Sequence, residues 1–261
     1  MLATFWAAFD DLSDGARANM TAAPLNKLRK FMLRPNLVAC LGQSRPRFRV
    51  RDLFRGDRAL LVPLNDALIG PGSAQLLGSL LVSELFQATQ ERAAEADPRS
   101  RPGVVVIDEA QRFVHLPTAL DDALATSRSY GVAWVAAHQY REQMSPTLRS
   151  GFDANATSKI VFRSRPKDAR DYAGMSSTLD AEDFMSLDKY ELYATLMHDD
   201  VQSPWFAARA LPPKPELGHA DAIRAASREQ FGAAPASAAA TGPSSPEPSS
   251  PAGRGKKARR T

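Results

Sequence analysis

A single cysteine, Cys40, among 261 residues excludes an intramolecular disulfide. The four histidines, His115, His138, His198 and His219, are scattered without metal-ligand spacing. So little cysteine suits a reducing cytoplasm. No apolar run approaches the ~20 residues of a membrane span. The opening stretch LATFWAAF has no basic residue before it and meets Asp10 and Asp11, unlike a secretory signal. No G-x-S-x-G occurs, and Cys40 in VACLGQ has no identifiable base, so a nucleophilic hydrolase has no constellation here. The expectation is a soluble cytoplasmic chain that can still dock at the inner face of a membrane complex.

The residues that are present describe a globular chain with a basic end. Hydrophobic residues make up 44% and charged residues 24%, enough for one large domain or two small ones. The formal charge of +4 comes from 33 Lys and Arg against 29 Asp and Glu. From Gly232 onward, Arg254, Lys256, Lys257, Arg259 and Arg260 face one acid, Glu247, so this tail alone carries +4. The preceding residues then balance at 28 basic and 28 acidic groups, and the basicity is assigned to the tail. Residues 232–261 hold Pro, Ala, Ser and Gly but no large apolar residue, so nothing there offsets the entropy of ordering, and a disordered tail is expected. Its RGKKARR end has the charge to touch nucleic acid or acidic lipid, or is simply a solvated tail.

Ahead of the tail, helix and strand signals alternate. Pro24 opens a segment with Leu25, Leu28, Phe31 and Met32 at helical spacing, with Thr21 as its cap. RALLVPL (58–64) reads as a buried strand, and residues 70–93 as a long helix with Leu76, Leu77, Leu80, Leu81, Leu85 and Phe86 on its apolar face. GVVVIDEAQ (103–111) is an unalternating β-branched run ending in two carboxylates, the pattern of a parallel strand buried on both faces. Thr118 to Asp121 forms a capping box for a helix that stops at Gly131, and VAWVAAHQ (132–139) is another buried strand. A helix from Ser145, a strand at 158–164, a short helix after Pro166 and strand runs at 190–197 and 203–211 follow. This alternation predicts a largely parallel α/β sheet, whose ligands sit at the carboxyl ends of the strands. Asp108, Glu109, His138 and Gln139 all fall there.

Four apolar residues followed by Asp-Glu have the form of a Walker B strand, in which the first carboxylate holds a nucleotide-bound magnesium ion and the second polarises an attacking water. Such acids can equally cap the next helix or face solvent. Gln139 stands 31 residues after Asp108, about the length of one strand, crossover helix and strand, where a polar side chain can sense a γ-phosphate. DEAQ lacks the other motifs of a DEAD-box helicase.

The segments LGQSRPRFRVRDLF, LLVPLNDALIGPGSAQLLGSLLVSELF, VVVIDEAQ with HLPTALDDALATSRSYGV, and AHQ with LRSGFDANATSKIVF resemble TraG/TraD-type conjugative coupling ATPases, relatives of the HerA/FtsK translocases. The likeness runs over about residues 5–213. It implies the later part of a RecA-like P-loop NTPase motor that moves DNA at the expense of ATP and Mg2+, as a homo-hexamer at a secretion channel with relaxosome proteins as partners. On this resemblance Asp108 is the magnesium ligand, Glu109 the water-activating acid and Gln139 the sensor. Arg128 stands where an arginine finger could reach a neighbouring subunit, or is simply a cation at a helix end. Arg149 and Arg163 are weaker finger candidates, and Asn155 has a structural role. The implied organisation is a helical lead-in (1–57), a partial motor domain (58–213), a short helical extension (214–231) and the basic tail.

One departure from that family matters most. A phosphate loop G-x-x-x-x-G-K-[ST] needs a Gly-Lys pair, and the only one here is Gly255-Lys256 in the tail. Gly70-Pro71-Gly72-Ser73 opens a helix but lacks the lysine and suits a turn. The first strand and loop of such a motor would lie upstream of Met1, as in a truncated or split gene. Two other readings stay open. One is a non-catalytic interaction module that binds DNA or motor partners. The other is a remnant whose sheet has an open edge.

Overall fold

The computed structural model describes residues 2–43, 45–114 and 120–232. His115, the capping residue Thr118 and the basic tail lie outside the described residues. Three helices come first: α1 (Leu2–Asp10), α2 (Asp14–Met32) and α3 (Pro35–Leu41). Helix α1 buries no residue. Its Phe5, Trp6 and Phe9 rings pack on one another at 5.3 to 6.4 Å. The helix expected to open at Pro24 begins instead at Asp14 and contains that proline. Thr21 is not its cap: the hydroxyl donates to the Arg17 carbonyl at 2.8 Å, a back-bond that lets the helix run on.

The strand expected at 58–64 is irregular chain, with Leu61 81% exposed. Pro63 supplies no N–H, and among the described residues no strand lies beside it to complete a ladder. Asn65 then caps α4 (Asp66–Ile69) by accepting from the Ala67 N–H at 2.9 Å. Gly70, in the left-handed region at φ 78°, turns the chain into α5 (Pro71–Glu91). The buried stripe of α5 runs through Ala74, Gly78, Val82, Leu85, Phe86 and Thr89, while Leu76 and Leu80 face out. Small residues let this helix approach closely: a Cβ at Gly78 would strike the Phe113 ring and Leu64.

Strand β1 (Gly103–Ile107), helix α6 (Leu120–Ser129) and strand β2 (Val132–Ala136) form a parallel β-α-β unit with Gly103 opposite Val132 and Ile107 opposite Ala136. Helix α7 (Pro146–Asn155), capped by Ser145, leads to β3 (Lys159–Phe162), and then come α8 (Pro166–Ala173) and α9 (Ala181–Ser186). Strand β4 (Glu191–Thr195) pairs antiparallel with β3, a small ribbon of β5 (Met197–His198) and β6 (Val201–Gln202) follows, and β7 (Phe206–Arg209) pairs antiparallel with β4. Helix α10 (Ala220–Phe231) ends the described chain. The protein is thus a mixed α/β fold whose parallel pairing resides in β1 and β2, while β3, β4 and β7 form an antiparallel sheet. The short connections after β4 return the chain antiparallel in β7, and β3 and β4 are antiparallel although α8 and α9 lie between them.

Phe54, Val82, Leu85, Val105, Ile107, Phe113 and Val132 form the core on one face of the parallel pair. The other face differs from the expectation of two-sided burial, since Val104 and Val106 are 65% and 68% exposed. Among the described residues helices cover one face only, so the apolar run alternates in burial although it does not alternate in sequence. A second core surrounds Phe184, which Tyr172, Tyr193 and Trp205 contact at 5.4 to 5.9 Å. Among the described residues no helix is long and apolar enough to cross a membrane.

Candidate functional site

The parallel ladder continues past the ends of β1 and β2 and delivers their polar residues side by side. The Ala137 N–H donates to the Ile107 carbonyl and the Ala110 N–H to the Ala137 carbonyl, both at 2.9 Å. Between those two bonds the chain turns sharply at Glu109, which takes a left-handed conformation (φ 51°, ψ 47°). A non-glycine residue there costs about 1–2 kcal/mol, a strain characteristic of functional strand ends. The turn separates the two carboxylates. Asp108 is exposed and accepts from the Glu109 N–H at 3.0 Å, leaving its second oxygen open. Glu109 is half-buried and held: one carboxylate oxygen accepts from the Gln139 amide, the other from the Gln111 amide at 2.5 Å. Gln111 also donates to Gln143 at 3.2 Å, which ties Glu109 to the turn after Gln139.

Asp108, Glu109 and Gln139 therefore converge, and Arg128 does not join them. Arg128 ends α6 at the amino end of β2, the opposite end of the parallel pair, one five-residue strand away. At ~3.3 Å per residue that is roughly 15 Å. There it forms an exposed ion pair with Asp200. Arg149 donates to the Arg141 carbonyl at 3.0 Å, within the loop after Gln139. Arg163 follows β3, and Asn155 donates to the Gly151 carbonyl at 3.1 Å, a helix-end bond. The Gly70-Pro71-Gly72-Ser73 cluster forms the α4–α5 turn, and a Cβ at Gly70 would meet the Arg34 guanidinium. Asp66 ties this region to the site through a bidentate bond from Arg112 at 2.7 and 2.9 Å.

Sequence reasoning missed the network that fixes the Gln139 loop. Arg141 is 4% exposed and donates to both oxygens of Asp153 at 2.7 and 2.5 Å and to Asp171 at 3.0 Å. Its backbone N–H donates to Asp168 at 3.2 Å, and its guanidinium lies 5.3 Å from the Tyr172 ring centre. Burial opposes the charge on Arg141, but the bonds and attraction from Asp153 and Asp171 prevail and raise its pKa. Burial also raises the Tyr172 phenol. Partners 12 to 30 residues away carry no short-range spacing signal, so only the fold reveals them.

His138 sits beside this network with Nδ1 buried and without a partner among the described residues. Burial and then Arg141 lower its pKa from 6.5, against the opposing pull of Asp168, Glu109 and Asp153. Below about pH 6.5 the unfolded chain takes up a proton that the folded chain resists. The stability from neutral His138 is thus complete above that pH and lost as pH falls through the lower folded value. Urea midpoints measured from pH 8 to 5 are expected to fall in the wild type, and the fall is expected to be shallower in His138→Asn.

Among the described residues no group of three or more His, Cys, Asp or Glu side chains is arranged to hold a metal ion. One exposed carboxylate with an open oxygen suits a hard cation that brings most of its ligands with it, as magnesium does on a nucleotide. The metal side of such a site fits Asp108, whereas the phosphate cradle has no Gly-Lys counterpart in residues 1–232.

No protein-family model and no curated protein sequence matches the chain. Among solved structures, the chain is similar to the unbound bacterial conjugative coupling protein TrwB lacking its first 70 residues, at 16% identity over 64% of this chain and 44% of that one, TM-score 0.49. It is similar to TrwB in complex with ADP and Mg2+ at 18% identity, covering 55% and 36% of the two chains with TM-score 0.43. The genome-packaging NTPase B204 of Sulfolobus turreted icosahedral virus 2, in complex with AMPPCP, is 18% identical over 52% of this chain and 63% of that one, TM-score 0.37. The chain spans less than half the length of these coupling-protein structures.

Proposed function

We propose that residues 58–213 are the later part of a RecA-like, ATP-driven DNA-translocating motor of the conjugative coupling type. The observation that carries this reading is the convergence of Asp108, Glu109 and Gln139 at the carboxyl ends of adjacent parallel strands, with Glu109 set in a strained turn and oriented by two amides. Asp108 would hold nucleotide-bound magnesium, which when bound neutralises developing phosphate charge. Glu109 accepts the proton of an attacking water at a carboxylate oxygen. Gln139, bonded to that carboxylate, reports the state of the phosphate end to the loop beyond it. Arg128 is assigned to a neighbouring subunit's site in a homo-hexamer, which agrees with its distance from its own chain's carboxylates. Relaxosome or secretion-channel proteins and DNA are the proposed partners, at the cytoplasmic face of a membrane complex. Residues 1–57 serve as a helical lead-in, and 214–231 as a linker to the basic tail, whose Arg254, Lys256, Lys257, Arg259 and Arg260 contact nucleic acid.

A second reading draws support from the missing Gly-Lys pair: an interaction module that binds DNA or motor partners without hydrolysis. ATP hydrolysis with and without DNA, measured on the longest natural reading frame containing these residues, separates the two. DNA-stimulated turnover is expected. No turnover and no ATP affinity would establish the interaction module.

A further inference from the structure

The geometry points to a phosphodiester-binding surface on the folded part of the chain, built from the arginine row at 45–58. Residues 45–51 read Arg-Pro-Arg-Phe-Arg-Val-Arg, and residues 45–58 hold six arginines, no lysine and two acids, Asp52 and Asp57. The balanced total of the first 231 residues conceals this local excess. The chain is extended at Arg49 (φ −118°, ψ 131°) and bends at Arg45 and Arg47. Arg45, Arg47 and Arg49 are exposed, while Phe48 and Val50 are half-buried. Phe48 packs edge-on against Phe231 at 5.7 Å, and Val50 packs against the main core.

After the 3-10 turn at Val50–Leu53, Arg55 and Arg58 extend the positive surface, and Arg101 joins it by donating to the Arg55 carbonyl at 2.8 Å. The side chains of Arg45, Arg49, Arg55 and Arg58 make no hydrogen bond or ion pair among the described residues. Guanidinium forks left unpaired on a rigid support match phosphate oxygens better than solvated ammonium groups. The apolar residues interleaved with the arginines, Phe48 and Val50, turn inward rather than standing beside the charges as membrane anchors, and the exposed Leu60 and Leu61 lie past the end of the row. Arg47 also donates to the carbonyl of Gly232, which ties the row to the end of α10. This surface is separate from the Asp108 site and stands whether or not the chain hydrolyses ATP.

The test uses the full 261-residue chain. Anisotropy of labelled 30-nucleotide single-stranded DNA, duplex DNA and RNA is titrated at several salt concentrations. It is repeated for Arg45→Ala/Arg49→Ala/Arg55→Ala and for a chain ending at Gly253. The triple variant is expected to bind at least about tenfold more weakly at 0.1 M salt, with the duplex salt slope reduced by roughly 2 to 3. Arginine-to-lysine replacement at the same three positions is expected to retain most of the affinity, which separates charge from folding. Which of the three nucleic acids binds most tightly identifies the natural backbone. Unchanged affinity and slope in the triple variant, with all binding lost on tail deletion, would overturn the proposal. So would binding to phosphatidylglycerol vesicles with no binding to any of the oligonucleotides.

Discussion

Glu109→Gln is expected to lower the turnover number for ATP by about 10²–10⁴, the usual contribution of a general base, in the reading frame that shows DNA-stimulated hydrolysis. ATP affinity is expected to hold, because Glu109 acts on water and Asp108 on the cation. The substitution is nearly isosteric, but it changes the local bonding. Both carboxylate oxygens accept from amides, from Gln139 and from Gln111, and a glutamine at 109 offers one oxygen and one NH2. The buried Oε1 of Gln111 has no partner among the described residues. Rotation of the Gln111 amide would present that oxygen to the new NH2 but give up the Gln111–Gln143 bond, at a cost of about 1 kcal/mol. Steady-state ATPase together with nucleotide binding checks this. Retention of turnover within tenfold of wild type would remove Glu109 from the chemistry. Asp108→Asn is the complementary control, since losing the cation ligand should weaken magnesium-dependent nucleotide binding as well as turnover.

The parts of the fold written in local pattern were legible and the parts written in long-range contact were not. The β-branched run at 103–107, the capped helix after Ser145 and the proline-initiated helix at 166 each carry their signal within a few residues. The segment 58–64 carries the same apolar signal as a strand, yet a strand needs a neighbour as well as a pattern. Pro24 misled because proline is favoured in the first turn of a helix, whereas here it sits inside α2, where it forfeits a backbone hydrogen bond. Asp108, Glu109 and Gln139 were readable because a parallel β-α-β unit fixes which residues share an end. The Glu109 turn, the Gln111 amide and the Arg141 cluster were not, since each depends on distances across the fold. The arginine alternation at 45–51 was plain in the sequence. Its meaning was hidden by whole-chain charge balance and by the separation of Phe48 from Phe231.

Arg141→Met is expected to destabilise the fold by about 3 kcal/mol, at the lower end of what removing one partner of a buried ion pair costs. The lower end applies because Asp153 and Asp171 keep 31% and 38% of their side-chain surface exposed and can partly rehydrate. Methionine fills the space over Tyr172 but supplies none of the three side-chain donor bonds. Two carboxylates then face each other across a site built for a cation. Adding Asp153→Asn should recover part of the loss, since it removes one of those charges, and Arg141→Lys should fall between because one ammonium cannot reproduce the bidentate fork. Denaturant midpoints of the four proteins check the series. A loss under about 1 kcal/mol for Arg141→Met would show that the cluster is as well solvated as a surface pair. The same variant bears on the site: Arg141 lies two residues beyond Gln139, and its backbone N–H is anchored to Asp168. Losing the side-chain bonds to Asp153 and Asp171 loosens that loop and the Gln139 amide that orients Glu109, so turnover should fall in Arg141→Met under conditions where the protein remains folded. Turnover equal to wild type there would make the cluster a purely structural clamp on α7 and α8.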